Sequence, residues 1–284
     1  MAKGFWQSKL SFWGMILLGA VLSVLLWIRD QGYPIYIPIL ASSLALAISY
    51  CAGRVISNLV ANSMTTKCLG YLHMDLDPDK FIDAYGQVPG RLSAGSRSRA
   101  IAHAYLSDGY AAKGDFTTAL SLLEAGFAGT EEKETALRGL YLSDKGACLN
   151  GLGDQEAAKE TLAELRSLID GCWHSKNALA RNLQDGLLLL EADLALQQKQ
   201  LPEIKPLEEI YERCAYHLRR FEIDRLLALR AMAVGNKEEA KRHLSVLADN
   251  GGKTRYGAWA RAQLDSAKCA SACFSVQPSI DASI

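Results

Sequence analysis

Two long apolar stretches open the chain. Residues 10–28 are 19 consecutive residues without a charge. As a helix rising about 1.5 Å per residue they would extend about 28 Å, close to the ~30 Å hydrocarbon thickness of a bilayer. A second uncharged stretch, residues 33–53, follows after a short link. Because backbone groups in lipid must be hydrogen-bonded within their own segment, the pattern predicts a two-helix membrane hairpin within residues 1–53.

A cleaved signal peptide is the main alternative for the first stretch. Lys3 and Lys9 precede it, as in a secretory signal. However, the stretch is long and ends in Leu-Leu-Trp-Ile-Arg-Asp, without a small-x-small cleavage pattern. Buried soluble helices are disfavoured because neither stretch has a polar stripe. Aromatic residues typical of membrane interfaces lie near the ends of the stretches: Trp13, Trp27, Tyr33, Tyr36 and Tyr50.

The distribution of basic residues predicts the orientation of the hairpin. Lys3 and Lys9 precede the first stretch and Arg54 and Lys67 follow the second, whereas the link holds only Arg29. By the positive-inside rule both termini are expected to be cytoplasmic. The seven scattered cysteines do not form a disulfide framework and are typical of a reducing compartment.

Small residues recur along the second stretch. They form pairs four residues apart: Ala41/Ala45, Ser43/Ala47 and Ala45/Ser49. Small residues let helices approach closely in lipid. Two readings remain open: the face packs on Gly14 and Gly19 of the first stretch, which we favour, or it joins hairpins into a homo-oligomer.

The rest of the chain is helical by pattern. Residues 54–72 carry apolar side chains three and four positions apart, which predicts a juxtamembrane helix or stalk. Residues 73–268 continue the helical period, with no alternating run typical of a strand. Residues 269–284 lack periodicity and are expected to form a mobile tail. The predicted fold class is therefore all-α.

An internal repeat organises residues 73–268. Three turns read Gly114-Asp115, Gly153-Asp154 and Gly235-Asn236, and each Gly is followed by Ala at the fifth position and Leu at the ninth. Gly tolerates the positive φ that ends one helix, and Asp or Asn caps the next. The turns lie 39 and then 82 residues apart, so a degenerate unit is expected over residues 175–218.

These turns, with Gly146 seven residues before Gly153, resemble the tetratricopeptide repeat over roughly residues 78–267. The units here run about 40 residues where the family has about 34, and the family's Trp and terminal Pro are not kept. Residues 75–88 followed by such repeats also resemble bacterial membrane-anchored helical-repeat proteins of unassigned function. The resemblance implies a right-handed superhelix with a concave groove for a protein or peptide partner, capped by a helix at residues 251–264.

The resemblance also implies which residues line the groove. The polar candidates are Asp108, Asn150 and Arg225, and the apolar candidates are Ile101, Leu140, Leu229 and Met232. The remaining groove positions are Ala104, Ala111, Ala112, Ser143, Ala147, Gly151, Glu222 and Ala233. Such a groove suits an apolar helix or an extended segment. The alternative, which we rate equally, is that these residues only pack on neighbouring helices in a closed solenoid.

Charge and motifs exclude other classes of function. Residues 1–72 carry a balance of +4 and the remainder −4, without the basic footprint of a nucleic-acid-binding protein. Asp75, Asp77 and Asp79 lack the Gly and Glu of a calcium loop, so Asp77 before Pro78 is better explained as a helix cap. Cys172 with His174, and Cys269 with Cys273, lack partner ligands for zinc. No catalytic motif, cofactor motif or metal site is expected.

The sequence therefore predicts a non-enzymatic integral protein of the bacterial cell membrane. The leading hypothesis is a membrane-anchored adaptor or scaffold that holds a protein partner at the cytoplasmic face. The alternative is a structural subunit of a larger membrane, envelope or transport complex.

Overall fold

The computed structural model describes residues 2–29, 32, 34, 36–128, 135–172 and 178–274. Within these ranges the regular structure is helical throughout and contains no strand, which confirms the all-α prediction. The chain divides into two compact units, residues 1–68 and 69–284.

Twelve α-helices are described, together with a 3-10 turn at Pro89–Arg91. They are α1 Ala2–Arg29, α2 Tyr36–His73, α3 Pro78–Tyr85, α4 Arg97–Lys113, α5 Phe116–Phe127, α6 Thr135–Leu152, α7 Gln155–Cys172, α8 Ala178–Gln197, α9 Ile204–Arg213, α10 His217–Ala233, α11 Lys237–Asn250 and α12 Arg255–Phe274.

The first unit consists of α1 and most of α2, both long and apolar enough to cross a membrane. In each apolar segment only 11% is buried, so these helices are not the core of a soluble domain. Large apolar side chains such as Leu17 and Leu40 are exposed, at 68% and 66%. The helix α2 has 38 residues, or about 57 Å, and continues without interruption through the segment predicted as a stalk.

Small residues join α1 to α2. A Cβ added to Gly19 would lie 2.5 Å from Ser49 Cβ, so the two backbones approach closely there. The Ser42 hydroxyl donates to the Ser23 carbonyl oxygen at 3.2 Å. This confirms packing of the small-residue face within the hairpin at Gly19. Gly14, in contrast, has no described atom within 4 Å of an added Cβ, and Ser43 and Ala47 are exposed.

In the second unit the three glycine turns have the predicted geometry. Gly114, Gly153 and Gly235 have φ values of +95°, +81° and +76°. The next residue then caps the following helix: Asp115 accepts from the Thr118 amide, Asp154 from Ala157 and Asn236 from Glu239. The alanines and leucines that follow each turn are all buried. In the degenerate unit α8 and α9 are joined instead through Lys199, which has φ +60°.

The helices of the second unit form two layers. In the inner layer α4 packs on α6, α6 on α8, α8 on α10 and α10 on α12, and α12 returns to α4. The outer helices α5, α7, α9 and α11 each bridge two neighbouring inner helices. The inner layer is therefore a closed ring, as in the alternative of a closed solenoid.

The last helix, α12, includes much of the predicted cap but extends to Phe274. It therefore continues six residues into the segment predicted as a tail, whose last ten residues lie outside the described ranges.

Close packing of α4 on α5 is tested by Gly126→Ala. A Cβ at this position would lie 2.2 Å from the Cβ of buried His103, so we expect a loss of about 1–3 kcal/mol in the free energy of unfolding. Gly171→Ala on α7 is the matched control, because its added Cβ meets no described atom within 4 Å. Thermal unfolding of the full chain in detergent micelles measures both. Equal midpoints for the two variants would contradict the described α4–α5 contact.

Candidate functional site

The inner ring of the second unit lines a half-open cavity of about 690 Å³. Its wall is formed by side chains of α4, α6, α8, α10 and α12, by the end of α9 with the α9–α10 loop, and by His73. A volume of this size is typical of sites for small molecules or for a few residues of a peptide.

The structure brings most of the predicted groove positions to this cavity or to a smaller one beside it. Asp108 and Leu140 line the larger cavity, together with Ala111, Ala112, Ser143, Ala147 and Glu222. Asn150 and Arg225 line the smaller cavity of about 270 Å³. Ile101 packs against the apolar cluster between α4 and α5, while Leu229 and Met232 line neither cavity.

The smaller cavity contains a hydrogen-bonded network that sequence reasoning missed. Asn150 donates to Asp193 at 2.9 Å, Arg225 donates to the other oxygen of Asp193 at 3.0 Å, and Gln197 donates to Asn150 at 2.9 Å. Asp193 thus links α6, α8 and α10. Two of the three polar groove candidates, Asn150 and Arg225, are bonded inside this network. The network therefore holds the inner helices of the ring together.

Arg255 lies at the junction of the two cavities and lines both. Its guanidinium lies over the rings of Phe116 and Tyr256, each at 4.6 Å. It also donates to the Tyr256 hydroxyl at 2.9 Å. The charge of Arg255 is therefore already engaged by neighbouring aromatic groups.

The larger cavity contains charged side chains that lack direct partners. Asp185 is paired with Arg213. In contrast, Asp108, Asp144, Arg219 and Glu222 make no hydrogen bond or ion pair with the described part of the chain. Asp144 Oδ2 is shielded from solvent and has no hydrogen-bond partner there. Buried ionic groups are normally paired, because removing them from water costs several kcal/mol.

The pKa values of these carboxyl groups reflect their surroundings. Burial raises the pKa of Asp108 to about 7, Glu222 adds to the rise, and the positive charge of Arg219 opposes it. Burial also raises the pKa of Asp144 well above its usual range, with a further contribution from Asp108. Nearby, burial and the charge of Asp144 raise the pKa of the Cys148 thiol to about 12. Burial in the site therefore shifts both carboxyl groups toward the neutral form.

A repeated tetrapeptide is the sequence signal that could have identified Asp144. Tyr-Leu-Ser-Asp occurs at residues 105–108 and again at 141–144. The second copy lies three residues further from its glycine turn than the first. Alignment on the turns therefore matched Asp108 with Ala147 and did not select Asp144.

Only some of the residues considered as metal ligands in the sequence lie within the described ranges. Asp77 accepts from the Lys80 amide at 3.1 Å as the cap of α3, as predicted. Within the described ranges no group of three or more His, Cys, Asp or Glu residues is arranged to hold a metal. His174 and the side chains of Cys172, Cys269 and Cys273 lie outside the described residues.

Comparison of the chain with protein-family models, curated proteins and solved structures gives no match. The site is therefore interpreted from its own geometry.

The variant Asp108→Asn tests how much burial of the Asp108 carboxylate destabilises the folded protein. Burial raises the pKa of Asp108 in the folded state, so the folded protein binds this proton more tightly than the unfolded chain does. The stability that the protonated carboxyl contributes is therefore lost as the pH rises toward 7. We expect the amide to raise the free energy of unfolding by about 1–2 kcal/mol at pH 8 and to have little effect at pH 4. Thermal unfolding of the full chain in micelles at both pH values measures this difference.

The exposed Asp170 on α7 provides the control for this prediction. Asp170→Asn should change stability little at either pH. If Asp108→Asn is less stable than the parent at pH 8, the ionised carboxylate is stabilising and the described environment is wrong.

Proposed function

We propose that this protein is a membrane-anchored, tetratricopeptide-like adaptor that holds a segment of a protein partner in the cavity of its helical ring. The observation that carries the proposal is the placement of predicted groove residues from three inner helices around one cavity. Asp108, Leu140 and Glu222 come from α4, α6 and α10 and share its wall.

Anchoring in a bacterial cell membrane is supported by the first unit. Its two helices are long and apolar, and their side chains are mostly exposed. Lipid is the environment in which such exposure is favourable. The basic residues on both outer flanks support cytoplasmic termini, which would hold the ring at the cytoplasmic face.

The closed ring limits the size of the partner segment that can bind in the cavity. An α-helix with its side chains is about 10–12 Å wide and suits a long open groove. The cavity described here is half open, is bounded on one side by Arg255 and Tyr256 of α12, and holds about 690 Å³. A short extended segment or a protruding side chain of the partner is therefore favoured over a whole helix.

A structural subunit of a larger membrane complex is the second candidate. It is favoured by Ser43 and Ala47, which face outward from the hairpin and provide a surface for another transmembrane helix. In that case the partner would be bound in fixed stoichiometry.

Site-specific photo-cross-linking in native membranes tests the adaptor. A small diazirine side chain replaces Ser143, which lines the cavity, or Glu160, which is exposed on outer helix α7. We expect a discrete cross-linked protein from position 143 and none from position 160. The partner should be substoichiometric and exchange with added competitor, whereas a permanent subunit would be equimolar. Equal cross-linking from both positions, or none from position 143, would contradict binding in the cavity.

A further inference from the structure

The first turn of α12 enters the ring of inner helices. Arg255 and Tyr256 line the larger cavity, and together with Trp259 they also line the smaller one. The side chains around them in the smaller cavity come from α5, α6, α8 and α10 and include Phe116 and Asn150. Tyr256 is only 5% exposed. The first turn of α12 therefore fills space that the inner helices would otherwise leave for a ligand.

Glycines flank the segment that enters the ring. The sequence reads Gly-Gly-Lys-Thr-Arg-Tyr-Gly over residues 251–257. Gly252 has φ +55°, and a Cβ added to it would lie 2.9 Å from the Cβ of Leu76. Further along α12, Ala260 is buried in the apolar cluster that also contains residues of α10 and α11. Because glycine is a poor helix former, residues 253–256 can leave the ring while the rest of α12 stays packed on α11.

The closed arrangement has unfavourable features where this segment meets the ring. Leu76 has φ +55°, a costly conformation for a bulky side chain. The Nε atom of Arg255 is shielded from solvent and has no hydrogen-bond partner in the described part of the chain, and the same holds for Asp144 Oδ2 in the larger cavity. Buried polar atoms without partners lower stability. Such features are typical of switch regions, because they make the closed position easier to leave.

We propose that residues 253–256 form an autoinhibitory plug, which occupies the ring in the free protein and is displaced when the partner segment enters. The inference rests on the proposed function, because it states how access of the partner to the cavity is regulated. Arg255 and Tyr256 each line both cavities, of about 690 Å³ and about 270 Å³. Their displacement would therefore join the two cavities into one larger site.

A permanent terminal cap is the competing explanation of α12. A cap covers the apolar end of a solenoid. Buried Ala260 fits that role, but the plug carries two basic side chains, Lys253 and Arg255. Lys253 contacts the other end of the unit through the bond from its amide to the Leu76 carbonyl oxygen and through an ion pair with Asp77, and its side chain is 64% exposed. Since exposed ion pairs contribute little to stability, the buried ring of Tyr256 is the main contact that holds the plug.

Hydrogen–deuterium exchange of the full chain in lipid nanodiscs tests whether the plug opens locally. The Ala258 amide donates to the Thr254 carbonyl oxygen in the first turn of α12, as the Ala119 amide donates to Asp115 in the first turn of α5. We expect Ala258 to exchange at least about tenfold faster than Ala119, because opening of the plug needs less free energy than unfolding of the unit. Equal protection of the two amides would identify a fixed cap and would overturn the inference.

The photo-cross-linker at position 143 tests whether opening admits the partner. Tyr256→Ala removes the buried ring that holds the plug, so a larger fraction of chains is open and the early cross-linking yield in native membranes should rise at least about threefold. Tyr85→Ala is the matched control. It removes a tyrosine of α3 that is 3% exposed and lines neither cavity, so the yield should stay at the parent level.

The outcomes separate the plug from the proposed function. An unchanged or lower yield in Tyr256→Ala, or an equal rise in both tyrosine variants, would overturn the plug, while cross-linking of a partner by the parent chain would still support the adaptor. If neither the parent nor the variants cross-link a protein from position 143, the proposed function is wrong and the plug fails with it.

Discussion

The contact between residues 74–77 and the segment that leads into α12 joins the two ends of the second unit, and together with the α4–α12 contact it closes the ring on which the rest of the unit depends. Leu76 is 5% exposed and packs with Tyr256 and the apolar residues between α10 and α12. Its carbonyl oxygen accepts from the Lys253 amide at 3.1 Å, and Lys253 Nζ donates to Asp77 at 2.7 Å. Leu76 adopts φ +55°, a costly conformation for a side chain of this size, which the buried contact stabilises.

Closure changes the chemistry of the inner surface. In an open superhelix the side chains of Asp108 and Asp144 would face water, which would keep their pKa values ordinary. In the ring both carboxyl groups are largely removed from water, which raises their pKa values. The same closure places Arg255 where two aromatic rings engage its charge. The acidic pair and the arginines around it thus share one cavity inside the ring.

The sequence was most informative where a structure depends on neighbouring residues. The glycine turns, their Asp and Asn caps and the buried alanines and leucines were predictable, because each needs a particular residue within a few positions. The closed ring and the Asp193 network were not, because they join residues as far apart in sequence as Asp77 and Lys253, 176 positions. The turn at Lys199 in the degenerate unit was likewise not predictable, since surrounding packing can impose a positive φ on residues other than glycine. Of the polar groove candidates, only Asp108 lines the larger cavity.

Zero-length carbodiimide cross-linking of the unmodified full chain, followed by peptide mass spectrometry, tests ring closure most directly. The Lys253–Asp77 pair at 2.7 Å should yield an intramolecular amide between the two ends of the unit. The Lys113–Asp79 pair at 2.8 Å, between α4 and α3, serves as an internal positive control. Both cross-links are expected in the monomeric fraction. Recovery of the Lys113–Asp79 cross-link without the Lys253–Asp77 cross-link would show that the two ends of the unit are apart and would contradict the closed ring.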